Sequence, residues 1–367
     1  MRKILSVLLC LSLSLGILSG CGTAATEAAA PARQGASASD DELRIVTTIF
    51  PLYDWTRVIL GDRMDEVSLT MLLDNGVDLH SYQPTTEDMV TIATADLFLY
   101  VGGESDSWVK DALRETTASD VVAIDLMEVL GDQAKTEEIV EGMEHDHDHD
   151  HDHDDDHDHD DHDEHDHDDH ADEDHEHGAD EVHDEAHHHD NDEHFWLSLR
   201  CAQTLCTAIA DQICAIDPDH ASRYAANTAA YLAQLAALDE AYTETVAQAS
   251  SNTLLFADRF PFRYLADDYG LTYYAAFPGC SAETEASFET IAFLAGKVDE
   301  LGLHSILTIE GSDHKIAETV SAATATKDQT ILTLDSLQSV TADDIQNGVT
   351  YLSVMEDDLA VLHEALN

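Results

Sequence analysis

RIVTTIFPLYDWTRVILGDRMDEVSLTML, residues 44–72, reads as strand, helix, strand, and that reading decides the fold. The β-rich runs RIVTTIF (44–50) and VSLTML (67–72) flank a helical stretch that starts after Pro51. ADLFLYVG (95–102) and VVAIDL (121–126) continue the pattern, with further helical stretches after Thr86 and Trp108. Alternation of this kind implies a mostly parallel sheet flanked by helices. The second half repeats the scheme in TLLFAD (253–258), LTYYAAF (271–277), SILTIEG (305–311) and TILTLD (330–335). Helical segments near 262–268, 284–300 and 314–325 separate these runs, and a last helix ends the chain. The expected fold is therefore α/β, with two pseudo-repeated lobes, each a mostly parallel sheet flanked by helices.

Between the halves, after Pro218, Tyr224, Tyr231, Leu235, Leu238, Tyr242 and Val246 recur at helical spacings. One amphipathic helix here would run roughly 40 Å at 1.5 Å per residue, long enough to brace both lobes. A packing helix confined to one lobe would show the same periodicity. The expected boundaries are an N-terminal lobe over 43–200, a helical connection over 201–250 and a C-terminal lobe over 251–367.

Arg2 and Lys3 precede an apolar run from Ile4 to Leu18, the order of an export signal, and the run is short for a permanent span. Leu18-Ser19-Gly20-Cys21 resembles the bacterial lipobox, in which the cysteine sulfur is lipidated and becomes the mature N-terminus. Residues 1–20 are thus expected as a lipoprotein signal peptide and 21–42 as a flexible tether rich in Ala, Ser, Thr and Gly. The protein would be held by a lipid on the extracytoplasmic face of the cell membrane. Of the other cysteines, Cys201, Cys206 and Cys214 share one helical stretch, where buried thiols are expected and no disulfide is assigned.

A formal net charge of −60 excludes nucleic acid as a partner, because phosphate binding needs a basic surface. Cations are the natural ligands. Residues 144–193 carry seventeen histidines among Asp and Glu, with no Lys or Arg. Such a segment has no means of forming a core and is expected to be disordered without a ligand. Alternating imidazole and carboxylate offers many exchangeable coordination sets, but composition does not choose among zinc, nickel and copper.

Two further stretches carry chemistry. In DNGVDLHSYQPTTED (74–88), a strand ends, Gly76 permits a tight turn, and His80 is presented before a helix starting near Pro84. That is the carboxyl edge of an open α/β sheet, where ligands bind. In DNDEHFWLSLR (190–200), His194 is followed at once by Phe195 and Trp196, so the backbone has re-entered the fold and this histidine differs physically from those of the acidic run.

Together with TTIFPLYDWTRVILGDR (47–63), DDYGLTYYAAF (267–277), CSAETEAS (280–287) and TLDSL (333–337), these segments resemble the ZnuA/TroA-like solute-binding receptors of zinc and manganese ABC importers. The resemblance covers nearly the whole mature chain. It implies two α/β lobes joined by a rigid helix, little lobe movement on loading, and a metal ion in the interlobe cleft. The histidine-rich insertion is similar to that of the zinc-importing members. By position, the family's first and second histidine ligands match His80 and His194, and its late aspartate matches Asp335. Its third ligand falls on Arg259, and a guanidinium has no free lone pair. Asp258 is the replacement candidate, with Glu310, Glu283 and Cys280 behind it. The family's Asp-Pro-His is here Asp78-Leu79-His80, which alters the turn and spares the ligand.

Two imidazoles with two carboxylates would suit tetrahedral Zn2+, and a carboxylate-rich set would favour Mn2+. Protonation of the imidazoles should release metal below about pH 6.5. The implied partners are an ABC permease and its ATPase, and a monomer is expected. An enzyme is not expected, since no HExxH motif or nucleophile elbow accompanies the ligands. A surface zinc store or adhesin is the rival; deleting 144–192 would strip a store of nearly all its metal and leave a receptor one tight site.

Overall fold

The computed structural model describes residues 42–115, 121–144, 191–281 and 285–367. The signal run, Cys21, the tether, Glu283 and the histidine-rich residues 145–190 lie outside the described residues.

The N-terminal lobe runs β1 (Leu43–Thr47), α1 (Phe50–Leu60), β2 (Val67–Met71), α2 (Thr86–Ala93), β3 (Leu97–Tyr100), α3 (Val109–Glu115), β4 (Val122–Asp125) and α4 (Leu126–Leu130). Then come α5 (Leu199–Ile216) and the 28-residue α6 (Ala221–Gln248). The C-terminal lobe follows as β5 (Thr253–Phe260), α7 (Arg263–Tyr269), β6 (Thr272–Pro278), α8 (Phe288–Leu301), β7 (Ser305–Ile309), α9 (Lys315–Ala323), β8 (Thr330–Leu334), α10 (Ala342–Gln346) and α11 (Tyr351–Ala365). Each of the eight sequence runs overlaps one strand. The first stops at Thr47 instead of reaching Phe50, because Pro51 sits in the opening turn of α1, where its fixed φ and missing N–H favour a helix start. Helix α2 begins at Thr86, two residues past Pro84, where Thr85 and Asp88 form a capping box.

Both sheets are parallel and share one strand order, β2-β1-β3-β4 and β6-β5-β7-β8, so the halves are a structural repeat. The register of β5 on β6 slips between Phe256 and Arg259: Phe256 faces Ala275, but Arg259 faces Phe277. One extra residue is thereby inserted into β5, and such a bulge re-aims the side chains beyond it.

Helix α6 buries Tyr224, Tyr231, Leu235, Leu238 and Tyr242, most of the stripe read from the sequence. It braces both lobes. Asn227 donates to the Ile59 carbonyl of α1 at 3.0 Å, and Tyr242 donates its hydroxyl to the Met355 carbonyl of α11 at 2.7 Å. One apolar core runs through both lobes and includes Trp55, Trp196 and Tyr351; a second, smaller one lies beneath α8 and α9. Cys201 and Cys206 are buried on α5 and, like Cys214, form no disulfide. Among the described residues no helix is long and apolar enough to cross a membrane.

Candidate metal centre

The loop after β2 turns at Gly76, whose φ of +76° lies in the region that glycine tolerates best. A single 3₁₀ turn, Leu79–Ser81, then presents His80, and Asp78 steadies it by accepting the His80 backbone N–H at 2.9 Å. His80 Nδ1 lies 2.8 Å from Ser105 Oγ and 3.6 Å from Glu193 Oε2. Glu193 in turn accepts the Ser105 backbone N–H at 2.9 Å. The other ring nitrogen of His80, Nε2, points at Nε2 of His194, 3.1 Å away.

His194 is held from behind in the same manner. It stands before the fully buried turn Phe195–Leu197, its ring centroid 5.2 Å from that of Trp196, and it is itself fully buried. One oxygen of Asp192, Oδ1, accepts both the His194 backbone N–H and Nδ1 at 2.9 Å. A carboxylate accepts and does not donate, so the proton of this ring sits on Nδ1 and the Nε2 lone pair is free. Ser105 and Glu193 offer acceptors to His80 Nδ1 in the same way. Burial, followed by the charge that His194 would carry, lowers the His80 pKa to about 3, so that near neutral pH this ring is uncharged.

Two lone pairs converging at 3.1 Å repel each other unless a cation lies between them. With Zn–N bonds near 2.0–2.1 Å, the N···N edge of a zinc tetrahedron is roughly 3.3 Å, close to the spacing seen.

Cys280 joins the two imidazoles: its sulfur and one ring nitrogen from each histidine all lie within 4.8 Å of one another. It sits two residues past β6, and its backbone N–H donates to Glu137 at 3.1 Å. Gly279 allows the approach, since a Cβ there would come within 3.1 Å of His194 Cε1 and 2.9 Å of the Phe260 carbonyl. Burial, with Asp192, Glu137 and Glu193 nearby, pushes the Cys280 thiol well up.

Asp258 and Asp335 are placed otherwise. Neither belongs to the group of His80, His194 and Cys280 found among the described residues. Asp258 accepts the Arg259 N–H at 2.9 Å and the Ile309 N–H of β7 at 3.4 Å. Asp335 turns onto its own loop, accepting the Leu337 N–H at 2.8 Å, while its backbone N–H donates to Asp358 at 2.9 Å. Burial and then the neighbouring Glu310 raise the Asp335 pKa to about 6. Glu310 accepts from the backbone and hydroxyl of Ser336 at 2.7 and 2.6 Å. Arg259 reaches across the cleft to Asp78 at 2.8 Å and to the Ser281 carbonyl at 3.3 Å.

The cleft has a volume of about 840 Å³, and His80, Glu104, Glu137, Glu144, Glu193 and Cys280 are among the residues on its walls. Its described lining has acidic side chains and no Lys or Arg, which suits a cation. The supporting residues Asp192, Glu193 and Ser105 were not singled out from the sequence. The only signal for two of them is their position one and two residues before His194.

A family model described as "Zinc-uptake complex component A periplasmic" matches residues 45–365. The zinc-binding lipoprotein AdcA of Streptococcus pneumoniae is 30% identical over 326 residues, which are 89% of this chain and 56% of AdcA. The chain thus spans little more than half the length of that relative. The high-affinity zinc uptake system protein ZnuA of Bacillus subtilis is 27% identical over 350 residues, covering 95% of this chain and 94% of that protein. The Zn(II)-bound ZnuA-like domain of S. pneumoniae AdcA superposes with a TM-score of 0.63 at 26% identity, over 89% of this chain and 99% of that domain. Matched along nearly its whole folded length and built on the same two-lobed frame, the chain belongs to the ZnuA family of zinc-uptake receptors.

Proposed function

We propose that this chain captures Zn2+ in the cleft between its lobes and hands it to the permease and ATPase of an ABC importer. The observation that carries the reading is the pair His80 and His194, whose Nε2 atoms face each other at 3.1 Å while their Nδ1 atoms meet oxygen acceptors. Asp192 thereby fixes the His194 lone pair on Nε2, and with its Nδ1–H donated to Ser105 the His80 ring aims its own at the same point; neutral imidazole suits zinc. The relatives AdcA, a zinc-binding lipoprotein, and ZnuA, a zinc uptake protein, agree with that cargo. Cys21 would carry the lipid that keeps the receptor beside its permease on the outer face of the membrane.

Asp335 and Asp258 stand as carboxylate ligands to be tested beside the imidazoles. The histidine-rich residues 145–190 would raise the local zinc concentration and pass ions on by ligand exchange. Glu144 and Asn191, the residues that flank this run, both line the cleft that holds His80. Competition titration of a variant lacking 145–190 tests the whole reading. One tight zinc site should remain, and His80→Ala or His194→Ala should each abolish it. Retention of that site in either alanine variant would overturn the ligand assignment, and loss of all tight binding on deletion would make the protein a zinc store instead.

A further inference from the structure

Resting on the receptor reading above, we propose that the Cys280 thiolate is the third protein ligand of the cleft ion, giving a two-imidazole, one-sulfur set selective for a thiophilic divalent metal. Among the His, Cys, Asp and Glu side chains of the described residues, the sulfur is the one further donor grouped with the two imidazoles, all three within 4.8 Å. With Zn–S near 2.3 Å and Zn–N near 2.0–2.1 Å, the N···S edge of a zinc tetrahedron is roughly 3.6 Å. A movement of about an ångström by the Cys280 loop therefore closes the set. Gly279 supplies the room for it, and Cys280 lines the same cleft as His80.

Arg259 explains why sulfur is used. The position spaced as a ligand holds a guanidinium, which has no lone pair to give. It instead ties the His80 loop, through Asp78 at 2.8 Å, to the Cys280 loop, through the Ser281 carbonyl at 3.3 Å. The residue that cannot ligate thus holds together the two loops that do. On loading, the S–H bond breaks as the S–metal bond forms, and the proton leaves to solvent, with no change of oxidation state. Thiolate favours Zn2+ and disfavours Mn2+, for which oxygen donors are suited. The fourth tetrahedral position is left for water or for one carboxylate, Asp335 or Asp258, and exchange there lets the ion leave.

Co2+ added to the full-length chain tests this, because residues 145–190 contain no cysteine and a thiolate-to-cobalt charge-transfer band cannot arise there. A one-thiolate band should appear in the near ultraviolet, disappear on addition of Zn2+, and be lost in Cys280→Ser. Zn2+ should also protect Cys280 of the unmodified sequence from iodoacetamide, read by peptide mass, and His80→Ala and His194→Ala should remove that protection. If cobalt gives no thiolate band and zinc leaves Cys280 alkylation unchanged, while the histidine variants still weaken cleft binding, the sulfur ligand is refuted and the receptor reading survives. A thiolate band that persists in both histidine variants would refute both.

Discussion

Replacing Asp192 should weaken zinc binding without touching a ligand. Its Oδ1 accepts two hydrogen bonds from His194, one from the backbone and one from Nδ1, both at 2.9 Å, in a fully enclosed setting. Asn at this position keeps an acceptor but loses the charge that makes the imidazole a stronger donor of its Nε2 lone pair. Ala removes the acceptor and frees the ring to rotate or to move its proton to Nε2, where it blocks the metal. Outer-shell partners of metal-bound histidines typically carry about 10- to 100-fold of affinity, which is roughly 1.4–2.8 kcal/mol. The expected order is therefore about tenfold weaker for Asp192→Asn and about 100-fold for Asp192→Ala. The fold should survive, because the Asp192 main chain keeps its bonds to Lys135 and Tyr264. Competition titration against a zinc chelator, in protein lacking 145–190 so that only the cleft is read, measures the effect. A thermal melt alongside reports integrity. An Asp192→Ala protein that is folded and binds zinc as tightly as the parent would refute the claim that this carboxylate sets the His194 tautomer.

Tyr264→Phe should cost about 1–3 kcal/mol in denaturant unfolding, since the buried hydroxyl accepts the Lys135 N–H at 2.8 Å, donates to the Asp192 carbonyl at 2.9 Å, and leaves both unpaired when removed. Asp106 is buried with one oxygen accepting the Val101 and Gly102 N–H groups and the other without a partner, and burial first, then Glu193, raises its pKa to about 7. The folded state then holds a proton that the unfolded state has lost, so this group lowers stability as pH rises from about 4 to 7; Asp106→Asn should flatten that slope and gain at most on the order of 4 kcal/mol at pH 8. His80 behaves oppositely: with its folded pKa near 3, the unfolded chain binds the extra proton between about pH 3 and 6.5. Metal-free protein should therefore lose stability as pH falls through that window, and equal pH slopes for parent and His80→Gln would contradict the assignment.

The architecture was legible because its signals are local and repeated. Eight apolar runs in two sets of four, each followed by a helical pattern, leave little choice but two parallel sheets. His80 and His194 are legible as candidates for different reasons: His80 follows the carboxyl end of a strand and the turn at Gly76, and His194 stands directly before Phe195 and Trp196, anchors that are buried. The third ligand resisted because spacing arguments assume an unbroken strand. The bulge between Phe256 and Arg259 inserts a residue into β5, so counting along it cannot say whether position 258 or 259 faces the cleft. The structure turns Arg259 toward Asp78 and gives Asp258 a partner in Ile309. Cys280 ranks only behind Asp258 in the sequence because its closeness to the histidines is a long-range fact, made by the end of β6 and by Gly279, and no periodicity announces it.

Rigid lobes follow from how the interface is built. The Trp196 indole donates to the Ser336 carbonyl at 2.9 Å, the Tyr351 hydroxyl donates to the Trp196 carbonyl at 2.6 Å, and the Tyr351 N–H donates to Asp54 at 2.9 Å. All three bonds are buried and join residues more than a hundred positions apart. A hinge motion wide enough to open the cleft from its base would break them together, at about 1–3 kcal/mol for each group left unpaired. It would also expose Trp196 and Tyr351, each worth a further few kcal/mol of apolar burial. A cost of about 5.5 kcal/mol already separates a 1:99 from a 99:1 population, so an opening that breaks these contacts together leaves the open state sparsely populated. Loading is expected to act instead on the loops that carry His80 and Cys280, both of which line the cleft. Solution scattering of the protein lacking 145–190, recorded with and without saturating Zn2+, should give radii of gyration that agree within error. A compaction on loading large enough to require rotation of one lobe against the other would show that the helix α6 brace and the Trp196–Tyr351 contacts yield, and that the lobes close as hinged jaws.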